Sequence, residues 1–189
     1  MEGDSAMALK ATIFKATLQL ADMDRGLYVD HAVTLARHPS ETDERMMVRV
    51  AAFGMFADEH LEFCKGLSDT DEPDLWQKDL TGQIQTWIEV GQPDERRISK
   101  ASGRSDRVIV IAYAGRTADI WWNGVKGKVE RLRNVSVWSL GDGIAEALGK
   151  LAERTMRLQM MVQDGEVSLG SETADAVAIR WNVLKAGAA

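Results

Sequence analysis

The chain has 189 residues, 45% of them hydrophobic and 28% charged, with a formal net charge of −6. That is enough apolar content for one compact core, and no apolar run approaches the ~20 residues a membrane-spanning helix needs. One cysteine, Cys64, and three scattered histidines (His31, His38, His60) exclude a disulfide framework and a zinc-type ligand spacing, which leaves carboxylates as the holders of any catalytic metal and points to Mg2+ or Mn2+.

The opening MEGDSAM has neither the basic start nor the apolar stretch of a signal peptide, and with a lone cysteine the expected compartment is the cytoplasm. Residues 1–6 read as a cloning remnant or an alternative start ahead of Met7, and 7–189 as a single domain. Residues 9–21 alternate in apolar and β-branched content and predict a strand, with turn chemistry at 22–26 and a returning strand over 27–35. Ser40 is the expected N-cap of an amphipathic helix, with Glu41, Asp43 and Glu44 in its first turn and Met46, Met47, Val50, Phe53, Gly54 and Ala57 at helical spacing. A short strand at 60–67 leads into an acidic stretch, 68–74. Residues 84–90 predict a strand that returns through a two-residue turn at Thr81-Gly82, and 95–102 a helix.

The run 108–113 is continuously apolar, the mark of a strand buried on both faces. Residues 118–129 predict a helix, 135–140 a strand and 144–154 a helix. Residues 157–162 and 166–169 form a hairpin around Asp164-Gly165. The mixture gives an α/β (α+β) fold with a mixed sheet. GIAEALGK (143–150) has the wrong glycine spacing for a phosphate loop, and Leu151 stands where a magnesium-binding Ser or Thr belongs.

Charge is segregated along the chain. Residues 41–95 hold fourteen acids and four bases, a balance of −10; residues 96–133 hold ten bases and three acids, a balance of +7. Such asymmetry points to a nucleic-acid face, or to nothing more than a solvated one. Glu89, inside Trp87-Ile88-Glu89-Val90, is the other anomaly. A carboxylate in a core-bound strand costs several kcal/mol unless a charge meets it. With the Thr81-Gly82 turn, Trp76 faces Trp87 and Asp74 faces Glu89, and a divalent cation between the two acids would remove their repulsion. Asp79 falls roughly 17 Å too far along the strand to share that site. Glu44 is a candidate third acid from the helix. The alternatives are that these acids are merely exposed, that the loop is longer than two residues, or that Glu89 is structural and paired with an arginine.

Several blocks resemble one family. They are Met7–Ile13, TLARHPSETDERMMVR (34–49), DEPDLW (71–76), WIEVGQPDERRISKA (87–101), SVWSL (136–140) and RTMRLQMMVQDGEVSL (154–169), which together span nearly the whole chain after residue 6. The chain resembles the YaeQ family. That resemblance implies a variant of the PD-(D/E)XK nuclease fold, an αβββαβ core whose acids bind Mg2+ and whose lysine assists the attacking water. Around that core the N-terminal hairpin and the C-terminal hairpin are additions. Pro73-Asp74 matches the PD element, Glu89 the first acid of (D/E)XK, and Glu44 the acid on the first helix. Gly91 stands at the lysine position, with Gln92 beside it and Lys100 on the next helix as substitutes.

The implied function is Mg2+-dependent (or Mn2+-dependent) hydrolysis of nucleic-acid phosphodiesters. Glu44, Asp74 and Glu89 would hold the metal, Gln92 or Lys100 would orient water, and Arg96, Arg97 and Lys100 would meet phosphates. The alternative is a degenerate nuclease-fold module that binds nucleic acid or a protein partner without hydrolysis, as Gly91 suggests. Neither reading involves a membrane or zinc.

Overall fold

The computed structural model describes residues 10–188. The expectations about residues 1–6 and Met7 lie outside the described residues. Two sheets form. The five-stranded sheet A has the order Val177–Ile179 (β10), Glu166–Ser171 (β9), Thr155–Gln163 (β8), Thr12–Asp22 (β1), Leu27–Arg37 (β2), and the six-stranded sheet B the order Trp181–Lys185 (β11), Val135–Leu140 (β7), Ser105–Ala112 (β6), Ile84–Val90 (β5), Leu75–Lys78 (β4), Leu61–Phe63 (β3). β1 (Thr12–Asp22) and β2 (Leu27–Arg37) make the expected N-terminal hairpin, closed around Gly26 in the left-handed region. β1 then pairs in parallel with β8 (Thr155–Gln163), which turns through Asp164-Gly165 into β9 (Glu166–Ser171). Asp24 of the first turn accepts the amides of Asp164 and Gly165 and ties the two turns together.

The helix α1 (Asp43–Met55) runs between the sheets. Its residues from Met46 to Gly54 are all buried, the pattern of a helix enclosed on every side. Gly54 permits this closeness, since a Cβ there would come within 2.5 Å of Met160 Sδ and 3.3 Å of Leu18 Cδ2 of sheet A. The N-cap is Thr42, whose hydroxyl accepts the Arg45 amide, and not Ser40. Ser40 instead hydrogen-bonds the His38 ring.

Sheet B continues through β3 (Leu61–Phe63), β4 (Leu75–Lys78) and β5 (Ile84–Val90). The helix α2 (Glu95–Arg104), capped by Asp94, crosses to β6 (Ser105–Ala112), and α3 (Arg116–Val129) crosses to β7 (Val135–Leu140). β5, β6 and β7 are parallel, and β3, β4 and β11 antiparallel to their neighbours. The main core fills the space between the sheets around α1. A second cluster, including Trp87, Ile98, Val108 and Val129, lies on the far face of sheet B under α2 and α3. No helix among the described residues is long and apolar enough to cross a membrane.

Three local expectations are corrected. The helix expected over 144–154 is α4 (Ile144–Gly149), which ends where Gly149 packs on Glu44. Two C-terminal strands were not foreseen, β10 (Val177–Ile179) and β11 (Trp181–Lys185). The β4–β5 turn is longer than two residues: the Asp79 amide donates to the Gln83 carbonyl, and the Asp79 carboxylate accepts the Thr81 and Gln83 amides. An irregularity after Gln77 then restores the register, so Trp76 still faces Trp87 and Leu75 faces Ile88.

Candidate functional site

Beyond the C-terminal end of β5 lies a cavity of about 320 Å3. Asp74, Glu89, Arg45, Arg97, Gln92 and Tyr113 line it, together with Gly66, Leu67, Asp69 and Thr70 of the segment before β4. Strand alternation explains how Glu89 arrives. Ile88 and Val90 go to the main core and Trp87 to the second cluster, so Glu89 shares the Trp87 face beneath α2.

Glu89 is only 3% exposed. Its Oε1 accepts the Trp87 indole N–H at 2.8 Å and Arg97 Nε at 2.8 Å. Asp74 is 1% exposed and sits just outside β4, its amide bonded to the Ile88 carbonyl. Its Oδ2 accepts the Val90 amide at 2.7 Å and Arg45 Nη2 at 3.0 Å. Arg45 Nη2 also lies 2.9 Å from Oδ1, but it is aligned for a hydrogen bond only to Oδ2, and Oδ1 is buried without one. Each acid is thus held by an arginine, Asp74 from α1 and Glu89 from α2, and those helices pack on opposite faces of sheet B.

Arg45 belongs to a longer chain of charges. Arg49, 1% exposed, makes two hydrogen bonds to the buried Glu41, at 2.8 and 2.7 Å, and Glu41 also accepts from Arg45. Arg45 goes on to the Val90 carbonyl at 2.9 Å. Arg45 and Arg49 are spaced i, i+4 on α1 and so share one stripe, while Glu41 precedes the N-cap Thr42 and meets both from outside the helix.

The other expected site residues lie as follows. Gln92 lines the cavity, with its amide donating to the Tyr113 carbonyl. Glu44 lines a neighbouring cavity with Tyr113, Arg116 and Asp142. Lys100 is paired with Asp71 outside the cavity, and Arg96 is exposed on α2. Gly91, at φ +110°, occupies a backbone conformation a lysine would enter only with strain.

A divalent cation needs oxygens free to bind it. Among the described residues no group of three or more acidic, histidine or cysteine side chains is placed to hold a metal. Glu89 directs both of its hydrogen bonds to Oε1, while Asp74 Oδ1 is buried against the segment before β4, where a Cβ on Gly66 would stand 3.2 Å from it. Two carboxylates with arginine partners fit a cation only in part, because Mg2+ bound through so few protein ligands relies on substrate phosphates for the rest.

Burial, and then the charge of Asp74, push the Glu89 pKa above its usual 4.5, with Arg97 and Trp87 opposing. The folded state therefore holds its proton to higher pH than the unfolded chain does. This contribution to stability falls as pH rises from about 4.5 through the raised value, and stays low above it. In metal-free protein the natural chain should lose more stability than Glu89→Gln between pH 4.5 and 7. Urea titrations at both pH values check this. Equal pH dependence would mean Arg97 fully compensates the burial.

Residues 7–180 match the model of the YaeQ protein family. The chain is 50% identical over 163 residues to the YaeQ protein of Salmonella typhi, covering 86% of this chain and 90% of that one. It is 47% identical over 166 residues to the YaeQ protein of Escherichia coli K12, covering 88% and 92%. Among solved structures, that of YaeQ from Xanthomonas axonopodis pv. citri superposes with a TM-score of 0.88 at 48% identity, covering 93% of this chain and 99% of that one. The YaeQ structure from Pseudomonas syringae gives 0.88 at 36% identity, covering 93% and 97%. The mixed two-sheet architecture and these matches have one conclusion: the chain belongs to the YaeQ family.

Proposed function

We propose that the protein is a nuclease-like module of the PD-(D/E)XK type that binds nucleic-acid phosphodiesters beside the Asp74–Glu89 cavity without efficient hydrolysis. The element order α1-β3-β4-β5-α2-β6 agrees with an αβββαβ core, and Asp74 and Glu89 stand at the end of its strands. The observation that carries the reading is the juxtaposition of cavity and helix. Arg97 lines the cavity, and the same ten-residue α2 holds Arg96, Lys100 and Arg104 against one acid, Glu95. Against hydrolysis stand Gly91 at the lysine position and the arginine partners of both acids. Metal-assisted attack depends on a placed cation and a freely coordinating carboxylate set.

A fluorescein-labelled 20-nucleotide single strand, followed by anisotropy in EDTA, tests this. Binding should appear near 50 mM salt and weaken as salt rises, with a log–log slope of about 0.7 per phosphate contact. Arg96→Glu should flatten the slope, and the oligonucleotide should stay intact when Mg2+ is added. No binding at low salt rules the reading out. Binding that needs Mg2+ and ends in cleavage would establish the metal-dependent alternative, with Asp74 and Glu89 as ligands; Glu89→Gln should then abolish the Mg2+ heat in calorimetry.

A further inference from the structure

Three of the four cations on α2 are already engaged by the chain's own acidic segment. Arg97 donates through Nη1 to the Thr70 carbonyl at 2.9 Å and through Nη2 to the Glu72 carbonyl at 2.8 Å. Lys100 pairs with the Asp71 carboxylate, and Arg104 Nη1 reaches the Asp71 carbonyl at 3.0 Å. The positions 97, 100 and 104 are spaced i, i+3, i+7, so they form one stripe of the helix, and three consecutive loop residues lie along it. An anionic strand with oxygens at regular intervals is what such a stripe is suited to hold.

The same segment forms one wall of the cavity. Gly66, Leu67, Asp69 and Thr70 line it, and Gly66 packs against the unpartnered Asp74 Oδ1. Its attachment is polar. Neither Leu67, which is exposed, nor any of residues 69–72 belongs to a hydrophobic cluster, and the internal contacts are few: Asp71 N to Asp69 Oδ1, Asp69 N to the Gly66 carbonyl, Lys65 N to Glu72 Oε2 and the Lys65–Asp69 ion pair at 3.9 Å. Of the contacts to α2, only Lys100–Asp71 is an ion pair, an exposed one that contributes little and is screened by salt, and the other three contacts are hydrogen bonds to backbone carbonyls. A phosphate chain can replace these contacts one for one, while nothing apolar has to leave its place. The segment opens with a single 3-10 turn over Gly66–Ser68, with Gly66 at φ +55°, and closes at Pro73.

We infer that segment 69–72 is an autoinhibitory strap: it occupies the cationic stripe of α2 in place of a nucleic-acid backbone, and an incoming strand displaces it and opens that wall of the cavity. The inference rests on the nucleic-acid reading above and adds its regulation. Freed of the strap, the two Nη groups of Arg97 become available with Lys100, Arg104 Nη1 and Arg96, while Arg97 Nε stays on Glu89.

The experiment compares three proteins against the labelled 20-nucleotide strand in EDTA at 50 mM salt. They are the natural chain, the strap variant Asp69→Asn/Asp71→Asn/Glu72→Gln, and a control, Glu166→Gln/Glu172→Gln/Asp175→Asn, that removes the same charge from sheet A and its loops. The strap variant should bind at least tenfold tighter than the control. In the natural chain, saturation with the oligonucleotide should speed amide hydrogen exchange at residues 69–72, a readout that needs no variant to fold. If the proteins bind equally and exchange at 69–72 is unchanged or slowed, the strap is overturned while the nucleic-acid reading stands. If none of the three binds, the nucleic-acid reading falls and takes the strap with it.

Discussion

Arg49→Met is expected to destabilise the protein by about 3–5 kcal/mol, because it removes one partner of a buried ion pair and leaves the other uncompensated. Arg49 is enclosed at the centre of α1, between the two sheets, and supplies two of the hydrogen bonds to Glu41 while also reaching the Ala36 carbonyl at 3.3 Å. Without it, Glu41 keeps only Arg45, and Arg45 is shared with Asp74. The double variant Glu41→Gln/Arg49→Met should recover much of the loss, since a neutral pair of similar volume carries no unpaired charge. Urea unfolding of the three proteins measures this. A loss below ~1 kcal/mol in the single variant would show that Arg45 alone satisfies Glu41. The network then has redundancy the geometry does not suggest.

Trp87→Ala should cost about 3–5 kcal/mol, the range for emptying a large aromatic site. Trp87 is 1% exposed, meets Trp76 edge-on with centroids 6.4 Å apart, and has the Arg104 guanidinium 5.2 Å from its ring. Trp87→Phe separates packing from chemistry. It retains most of the apolar volume but removes the N–H given to Glu89, a loss of about 1–3 kcal/mol for a buried acceptor left short of a donor. Since that bond favours the ionised carboxylate, the Phe variant should also titrate Glu89 at a higher pH than the natural chain. Carboxyl-carbon NMR reads the shift directly. An unchanged titration would mean that Arg97 alone orients and charges Glu89.

What the sequence disclosed and what it hid divide along physical lines. The hairpin around Asp164-Gly165, the 22–26 turn and the strand Val135–Leu140 rest on local signals, alternation and turn chemistry, and they were legible. β11 was not, because Trp181, Asn182 and Val183 gain strand form from pairing with β7 some forty residues earlier. The partial success at the β4–β5 hairpin is instructive. The assumed turn was too short, yet an extra residue in β5 cancelled the error, and Trp76 and Trp87 ended opposite each other as expected. Asp74 and Glu89 were found because strand register is periodic. Their arginine partners come from helices on either side, and nothing in local spacing ties Arg45 to Asp74 across 29 residues. Glu44 was drawn toward the site by its place at the edge of the helix's apolar stripe and by the family's acid on the first helix, but it packs against Gly149 of α4.

The parallel contact between β1 and β8 also sets a schedule. The N-terminal hairpin is complete in sequence by Arg37, yet the neighbour that covers the other edge of β1 begins at Thr155. At about 5–20 residues per second of synthesis, that edge waits on the order of ten seconds on the ribosome with its backbone groups unpaired. An uncovered strand edge is a template for any other extended chain, including a second nascent copy. The molecule therefore has a window of exposure during its birth that its finished form conceals, and truncation anywhere before Thr155 would make that window permanent.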